Sequence, residues 1–113
     1  MVTLYGIKNC DSVKKAVKFL KAKEVEYTFI DFKTTAVTCE TIIPWLEQVE
    51  MKKLFNTRGT SYRTLKLKEL NLNEDEQLQW LCKENMLIKR PVLDIDGAIT
   101  VAFDLDHYEK LFT

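Results

Sequence analysis

Val2–Tyr5 is a short β-prone run ended by Gly6, and Glu24–Phe32 (EVEYTFIDF) alternates and is rich in aromatic and β-branched residues. Between them apolar residues recur at Val13, Ala16, Val17 and Leu20, the i, i+3, i+4, i+7 stripe of an amphipathic helix. Lys14, Lys15, Lys18 and Lys21 fall on the opposite, solvent side, and Asp11 and Ser12 are the expected N-terminal caps. Strand, helix and strand within roughly thirty residues make a βαβ unit, so the two strands should be parallel and joined by a right-handed crossover. This constrains the rest of the chain to an α/β fold.

The middle third is helical. Thr38 is the candidate cap of a helix whose apolar stripe is Ile42, Ile43, Leu46 and Val49, with Pro44 expected to distort the first turn. Met51–Phe55 continues as a short helical segment, and the loop Asn56-Thr57-Arg58-Gly59-Thr60 breaks it. Helical spacing resumes over Tyr62–Leu70, and Asn73 with Glu76 forms a reciprocal capping pattern for a helix carrying Leu78, Leu81 and Cys82. The chain then returns to β structure: Val92–Ile95 and Ile99–Val101 flank Asp96-Gly97, a strong hairpin signal. Asp104 caps a last helix with Leu105, Tyr108, Leu111 and Phe112 at helical spacing. The order βαβ, helical insertion at about 37–87, ββα predicts a thioredoxin-like fold with a four-stranded mixed sheet in a single domain, residues 1–113.

Composition narrows the function classes. Seventeen basic residues balance seventeen acidic ones, so a bulk electrostatic grip on nucleic acid or an acidic membrane is not expected. No apolar run is long enough to cross a bilayer. The N-terminus, MVTLYGIKNC, has no basic stretch followed by an apolar one, so no signal peptide is expected. Cys10, Cys39 and Cys82 form an odd set in no C-x-x-C pair and no metal-ligand spacing, which fits free thiols in a reducing cytoplasm. No bound cofactor or metal is expected.

Cys10 stands out by position, because it follows a strand and a short loop and opens a helix. Unsatisfied N–H groups and the positive end of the helix dipole favour a thiolate there, and Lys8, Lys14 and Lys15 add positive potential. Residue 13 is Val, so there is no dithiol, and an adduct on Cys10 must be resolved by another molecule such as glutathione, or by Cys39 or Cys82. Cys82 lies on the apolar stripe of its helix and reads as core filler. Cys39 lies at a helix start, with nothing in the sequence to place it near Cys10.

Two further segments carry candidates. Ile88-Lys89-Arg90-Pro91-Val92 puts a proline at a strand start, which reads equally as a routine strand opening or as exposed backbone beside the thiol. Asn56–Arg63 (NTRGTSYR) holds Arg58 and Arg63 with several hydroxyls, either an anion clamp or a polar loop capping the next helix through Thr60 or Ser61. His107 reads as a surface residue in the first turn of the last helix.

YGIKNCDSVKKAVKFL, LFNTRGTSYRTL, LIKRPVL, the Asp-Gly hairpin and FDLDHYEKLF together resemble the arsenate reductase (ArsC)/Spx family, closest to its YffB-like branch. The resemblance covers nearly the whole chain, in order. It implies a nucleophilic Cys10, a cis Pro91, and a substrate- or glutathione-binding pocket drawing on Lys8, Asn9, Arg58, Arg63, Arg90 and Pro91. Arg90 would be catalytic beside Cys10. It also implies a monothiol oxidoreductase in the cytoplasm, with glutathione as co-substrate and glutaredoxin as partner. The alternative is an Spx-like, non-enzymatic regulator that binds RNA polymerase. Family arsenate reductases resemble this chain around the thiol but hold arsenate with three arginines. One matches Arg90, another falls where Asn56 stands, and the third lies in Val101-Ala102-Phe103, which holds no arginine.

Overall fold

Four strands form one mixed sheet in the order β2-β1-β3-β4, in a computed structural model that describes Met1–Thr113. β1 (Val2–Gly6) lies parallel to β2 (Thr28–Asp31), with Thr3 opposite Thr28 and Gly6 opposite Asp31. β1 is antiparallel to β3 (Val92–Ile95), and β3 is antiparallel to β4 (Ala98–Val101). The β3–β4 turn places Asp96 at φ 50° and Gly97 at φ 95°, the double left-handed geometry that the Asp-Gly pair favours. Asp94 Oδ1 accepts the Gly97 N–H at 2.7 Å and closes it.

The chain divides into two compact units, Met1–Thr34 with Arg90–Thr113, and Thr35–Lys89. In the first, the sheet carries α1 (Asp11–Ala22) and α6 (Leu105–Leu111). Leu4 and Leu93 of the sheet, Ala16, Phe19 and Leu20 of α1, and Tyr108 of α6 make its buried core. α1 ends where Lys23 and then Glu24 leave the helix. Glu24 is left-handed at φ 57°, and the Glu24 and Val25 N–H groups donate to Lys21 and Leu20 carbonyls. That paired closure normally uses glycine at the left-handed position. It consumes residues 24 to 27, so the second strand starts at Thr28 and not at Glu24 as the alternation suggested.

Gly6 is the tight point of this packing. A Cβ there would stand 2.6 Å from Val13 Cγ2, and Val13 is a short, branched, buried side chain whose β-branch restricts its rotamers. Gly6→Ala is expected to destabilise the protein by about 1–3 kcal/mol through overpacking, read as a lower denaturant midpoint at unchanged slope. An unchanged midpoint would mean that α1 can shift freely on the sheet.

Tyr108 is fully buried, with Phe19 and Phe103 edge-on to it at centroid distances of 5.6 and 4.7 Å. Its hydroxyl has no hydrogen-bond partner, and burial pushes its ionisation well above the ordinary 10.0. Tyr108→Phe removes an unsatisfied polar group and is expected to gain on the order of 1 kcal/mol. The sign with pH follows from linkage. Above pH 10 the unfolded chain loses this proton while the folded chain keeps it, so the contribution, whole below pH 10, is lost as pH rises towards the folded value. Melts of the wild type should therefore fall more steeply between pH 9 and pH 11 than those of Tyr108→Phe, by about 1 kcal/mol of differential stability. Parallel curves would contradict this.

The second unit holds α2 (Cys39–Leu46), α3 (Met51–Leu54), α4 (Thr60–Thr64), a 3-10 turn at Leu67–Leu70, α5 (Glu74–Lys83) and a 3-10 turn at Asn85–Leu87. The reciprocal cap expected from Asn73 and Glu76 is present, with the two hydrogen bonds at 3.1 and 2.8 Å. Three expectations are corrected. In α2, Ile42 and Trp45 are buried three residues apart while Ile43, about 100° further round the helix, is exposed, and the helix ends at Leu46 before Val49. Thr38 is the N-cap residue of α2 but makes no side-chain capping bond. The helical spacing over Tyr62–Leu70 is split, since Lys66 turns left-handed at φ 54° between α4 and the 3-10 turn. No helix is long and apolar enough to cross a membrane.

Candidate active site around Cys10

β1 runs out at Gly6, the loop Ile7-Lys8-Asn9 follows, and Cys10 is the N-cap residue of α1 in extended conformation (φ −139°, ψ 124°). The expectation that Asp11 or Ser12 caps this helix is corrected: both lie inside or at the start of the helix, and the Cys10 carbonyl accepts the Lys14 N–H at 2.9 Å. The Cys10 side chain makes no capping hydrogen bond, is half-buried and is the one free thiol. Its sulfur is thus left at the positive end of a 12-residue helix without being spent on the helix's own amides. Asp11 in the first turn works against that field, while exposed Lys8, Lys14 and Lys15 work with it.

The antiparallel register of β1 and β3 brings the second candidate to the same end of the sheet. Tyr5 pairs with Val92, so Pro91 precedes β3 at the end where Gly6 leads into the Cys10 loop. The Arg90–Pro91 peptide is cis, as the family resemblance implies. Pro91 is buried and its carbonyl accepts the Ala102 N–H at 2.9 Å, which ties the strand start to the end of β4. Arg90, half-buried, is the residue just outside that anchor.

Along α1 a groove of about 530 Å³ opens. Val13, Val17, Tyr27 and Phe29 supply its apolar walls, and Lys8, Lys14, Lys18 and Lys21 supply its charge. Tyr27 and Phe29, not foreseen as site residues, line it because β2 runs parallel beside β1: Phe29 lies in β2, and Tyr27 stands two residues earlier, just ahead of the strand. The alternation in EVEYTFIDF was the available signal.

Arg58 and Arg63 belong to the other unit. Asn56 Oδ1 accepts the Arg58 N–H at 3.1 Å, a local turn that presents both arginines at the surface. The loop's base is fixed by the Asn56 N–H to Leu87 carbonyl bond at 2.8 Å and the Lys89 N–H to Leu54 carbonyl bond at 2.7 Å. α4 is preceded by Gly59 without a side-chain cap, so neither Thr60 nor Ser61 plays the capping role considered for it. In the segment where family arsenate reductases carry an arginine, Ala102 is left-handed at φ 69° and Phe103 packs on Phe19 and Tyr108. The segment is half-buried, with Phe103 packed against the core.

The largest departure from the sequence reading concerns the other two cysteines. Cys39 and Cys82 form a disulfide with Cα atoms 5.2 Å apart, so Cys82 is not core filler and the three thiols are not all free. They are separated by 43 positions in no spaced motif, and nothing in the sequence signals their meeting.

The sequence profile of the ArsC family matches residues 5–111. The solved structure of the YFFB protein superposes on the full length of both chains with a TM-score of 0.93 at 32% identity. An arsenate reductase (ArsC) related protein from Brucella melitensis is 36% identical, with a TM-score of 0.75 over 99% of this chain and 94% of that one. The global transcriptional regulator Spx 2 of Bacillus anthracis is 24% identical across 97% of this chain and 86% of that protein.

Proposed function

The chain belongs to the ArsC family, with the thioredoxin-like fold, and from that premise we propose that it is a cytoplasmic monothiol oxidoreductase whose Cys10 is resolved by glutathione. One observation carries the reading: Cys10 is free at a helix N-terminus while Cys39 and Cys82 are bonded to each other. In that state no second thiol of the chain is available, so whatever attaches to Cys10 must be removed by an outside thiol. In the reaction proposed, the Cys10 thiolate attacks one sulfur of a disulfide, forms a mixed disulfide and releases the other sulfur as a thiolate. A glutathione thiolate then attacks the mixed disulfide, returns Cys10 as thiolate and leaves with the remaining group as a new disulfide. Glutaredoxin fits as the protein that reduces that product.

Glutathione carries two carboxylates, one ammonium group and two amide bonds around its thiol. The lysine-lined groove beside Cys10 supports an anionic ligand of that kind, with Lys8 and Asn9 in the preceding loop and Arg90 beside cis Pro91 as further donors. Arsenate is the weaker candidate substrate. Two of the three family arginine positions are Asn56 and the arginine-free segment Val101–Phe103, and loss of one preorganised donor costs ~100- to 1000-fold in turnover.

The test is incubation of the disulfide-closed protein with glutathione disulfide, followed by intact mass and peptide mapping. One glutathionyl group on Cys10, removed by added thiol and formed severalfold more slowly in Arg90→Ala, is the expected result. An adduct that forms on no cysteine, or one indifferent to Arg90, would overturn the assignment of the corresponding residue. A regulator of the Spx type needs no reactive thiol and predicts the first of those outcomes.

A further inference from the structure

Cys39 is the first residue of α2 and Cys82 lies next to the last residue of α5, and both are half-buried. The same junction is held a second way. Asn85, only 7% exposed, accepts the Val37 N–H on Oδ1 at 2.7 Å and donates from Nδ2 to the Val37 and Leu81 carbonyls at 3.1 and 2.9 Å. Val37 is two residues before Cys39, and Leu81 is the neighbour of Cys82. This buried amide therefore joins the two cysteine-bearing segments through bonds that do not involve sulfur.

We infer that Cys39–Cys82 is a second, reversible thiol-exchange site, separate from Cys10, whose reactant is a low-molecular-weight thiol of the glutathione type. After reduction, Asn85 holds the two thiols in place. Reclosure is then intramolecular at high effective concentration, and the site opens and closes without unfolding. The exchange has a direction. Cys39 sits at the N-terminus of an eight-residue helix, where a departing thiolate is stabilised, although Glu40 in the first turn reduces the benefit. An attacking glutathione thiolate therefore bonds to Cys82 Sγ and breaks the Cys82–Cys39 bond, and Cys39 leaves as thiolate. A second glutathione thiolate attacks the glutathionyl sulfur on Cys82, which yields two protein thiols and glutathione disulfide. The reverse sequence, driven by glutathione disulfide, closes the bond. The inference does not depend on the catalytic role proposed for Cys10.

Cys10→Ser protein isolates the second site. It is equilibrated in buffers of varied reduced-to-oxidised glutathione ratio, acid-quenched, alkylated and mapped, with circular dichroism to verify folding throughout. Alkylation of Cys39 and Cys82 should rise together as the buffer becomes reducing and fall when it is made oxidising. Brief exposure to reduced glutathione should trap the glutathionyl group on Cys82 with Cys39 alkylated. Alkylation of both residues in every buffer would show that no bond exists. Resistance to glutathione unless denaturant is added would show an inert staple, and trapping on Cys39 would overturn the direction of attack. A failure of Cys10 to form adducts in the preceding experiment leaves this outcome unaffected, so the two proposals fail separately.

Discussion

Cys10→Ser is expected to lose thiol-transfer activity by a factor on the order of 1000 or more, while its fold and melting temperature stay close to wild type. The nucleophile is the one atom the reaction cannot replace, because a serine hydroxyl at the same place is protonated at neutral pH. Stability should hold because Cys10 is half-buried, caps nothing with its side chain, and starts α1 through its backbone carbonyl, which serine retains. The rate of iodoacetamide labelling, followed by mass with the Cys39–Cys82 bond closed, gives a second readout. The wild type should show one labelling phase and the variant none. Residual labelling at the wild-type rate would place the reactive thiol elsewhere. Catalysis of glutathione–disulfide exchange undiminished in Cys10→Ser would remove the enzymatic reading altogether.

Opening the Cys39–Cys82 bond is expected to cost about 2–4 kcal/mol, because the bond closes a long loop and so restricts the unfolded chain. For a domain of this size about 1 kcal/mol corresponds to roughly 4 °C, so the melting temperature should drop by about 10 °C on reduction. Cys82→Ser should show the same drop without reductant, and reductant should then add nothing. Asn85 limits the damage, since its three hydrogen bonds still join the segment before α2 to the end of α5, and the reduced protein should remain cooperatively folded at 25 °C. A melting temperature unmoved by reduction would mean that the bond constrains little of the unfolded ensemble. Loss of the cooperative transition would mean that the buried amide does not suffice to hold the junction.

Residue periodicity was enough for the βαβ unit, the hairpin and the last helix, because each is set by local rules. Val13, Ala16 and Leu20 face the core at helical spacing, Asp96-Gly97 adopts the double left-handed turn, and Asp104 accepts the Asp106 and His107 N–H groups at the start of α6. The position of Cys10 at a strand–loop–helix junction was equally legible, since chain order alone places it there. Element ends were less so. Glu24 and Lys66 adopt left-handed conformations that their residue types do not advertise, and those two residues end α1 and split the helical segment after α4.

The tertiary structure alone decided which distant residues meet. The register of β1 against β3 brings Pro91 to the end of the sheet that carries the Cys10 loop, and parallel pairing of β2 with β1 sets Phe29, with Tyr27 just ahead of the strand, beside the lysines of α1. Cys39 and Cys82 are joined because α2 and α5 pack together with Asn85 holding the junction. Hydrophobic periodicity fixes which face of an element is buried. Which other element that face is buried against is a property of the whole packed chain, and a pair of half-buried cysteines far apart in sequence leaves no periodic trace of its bond.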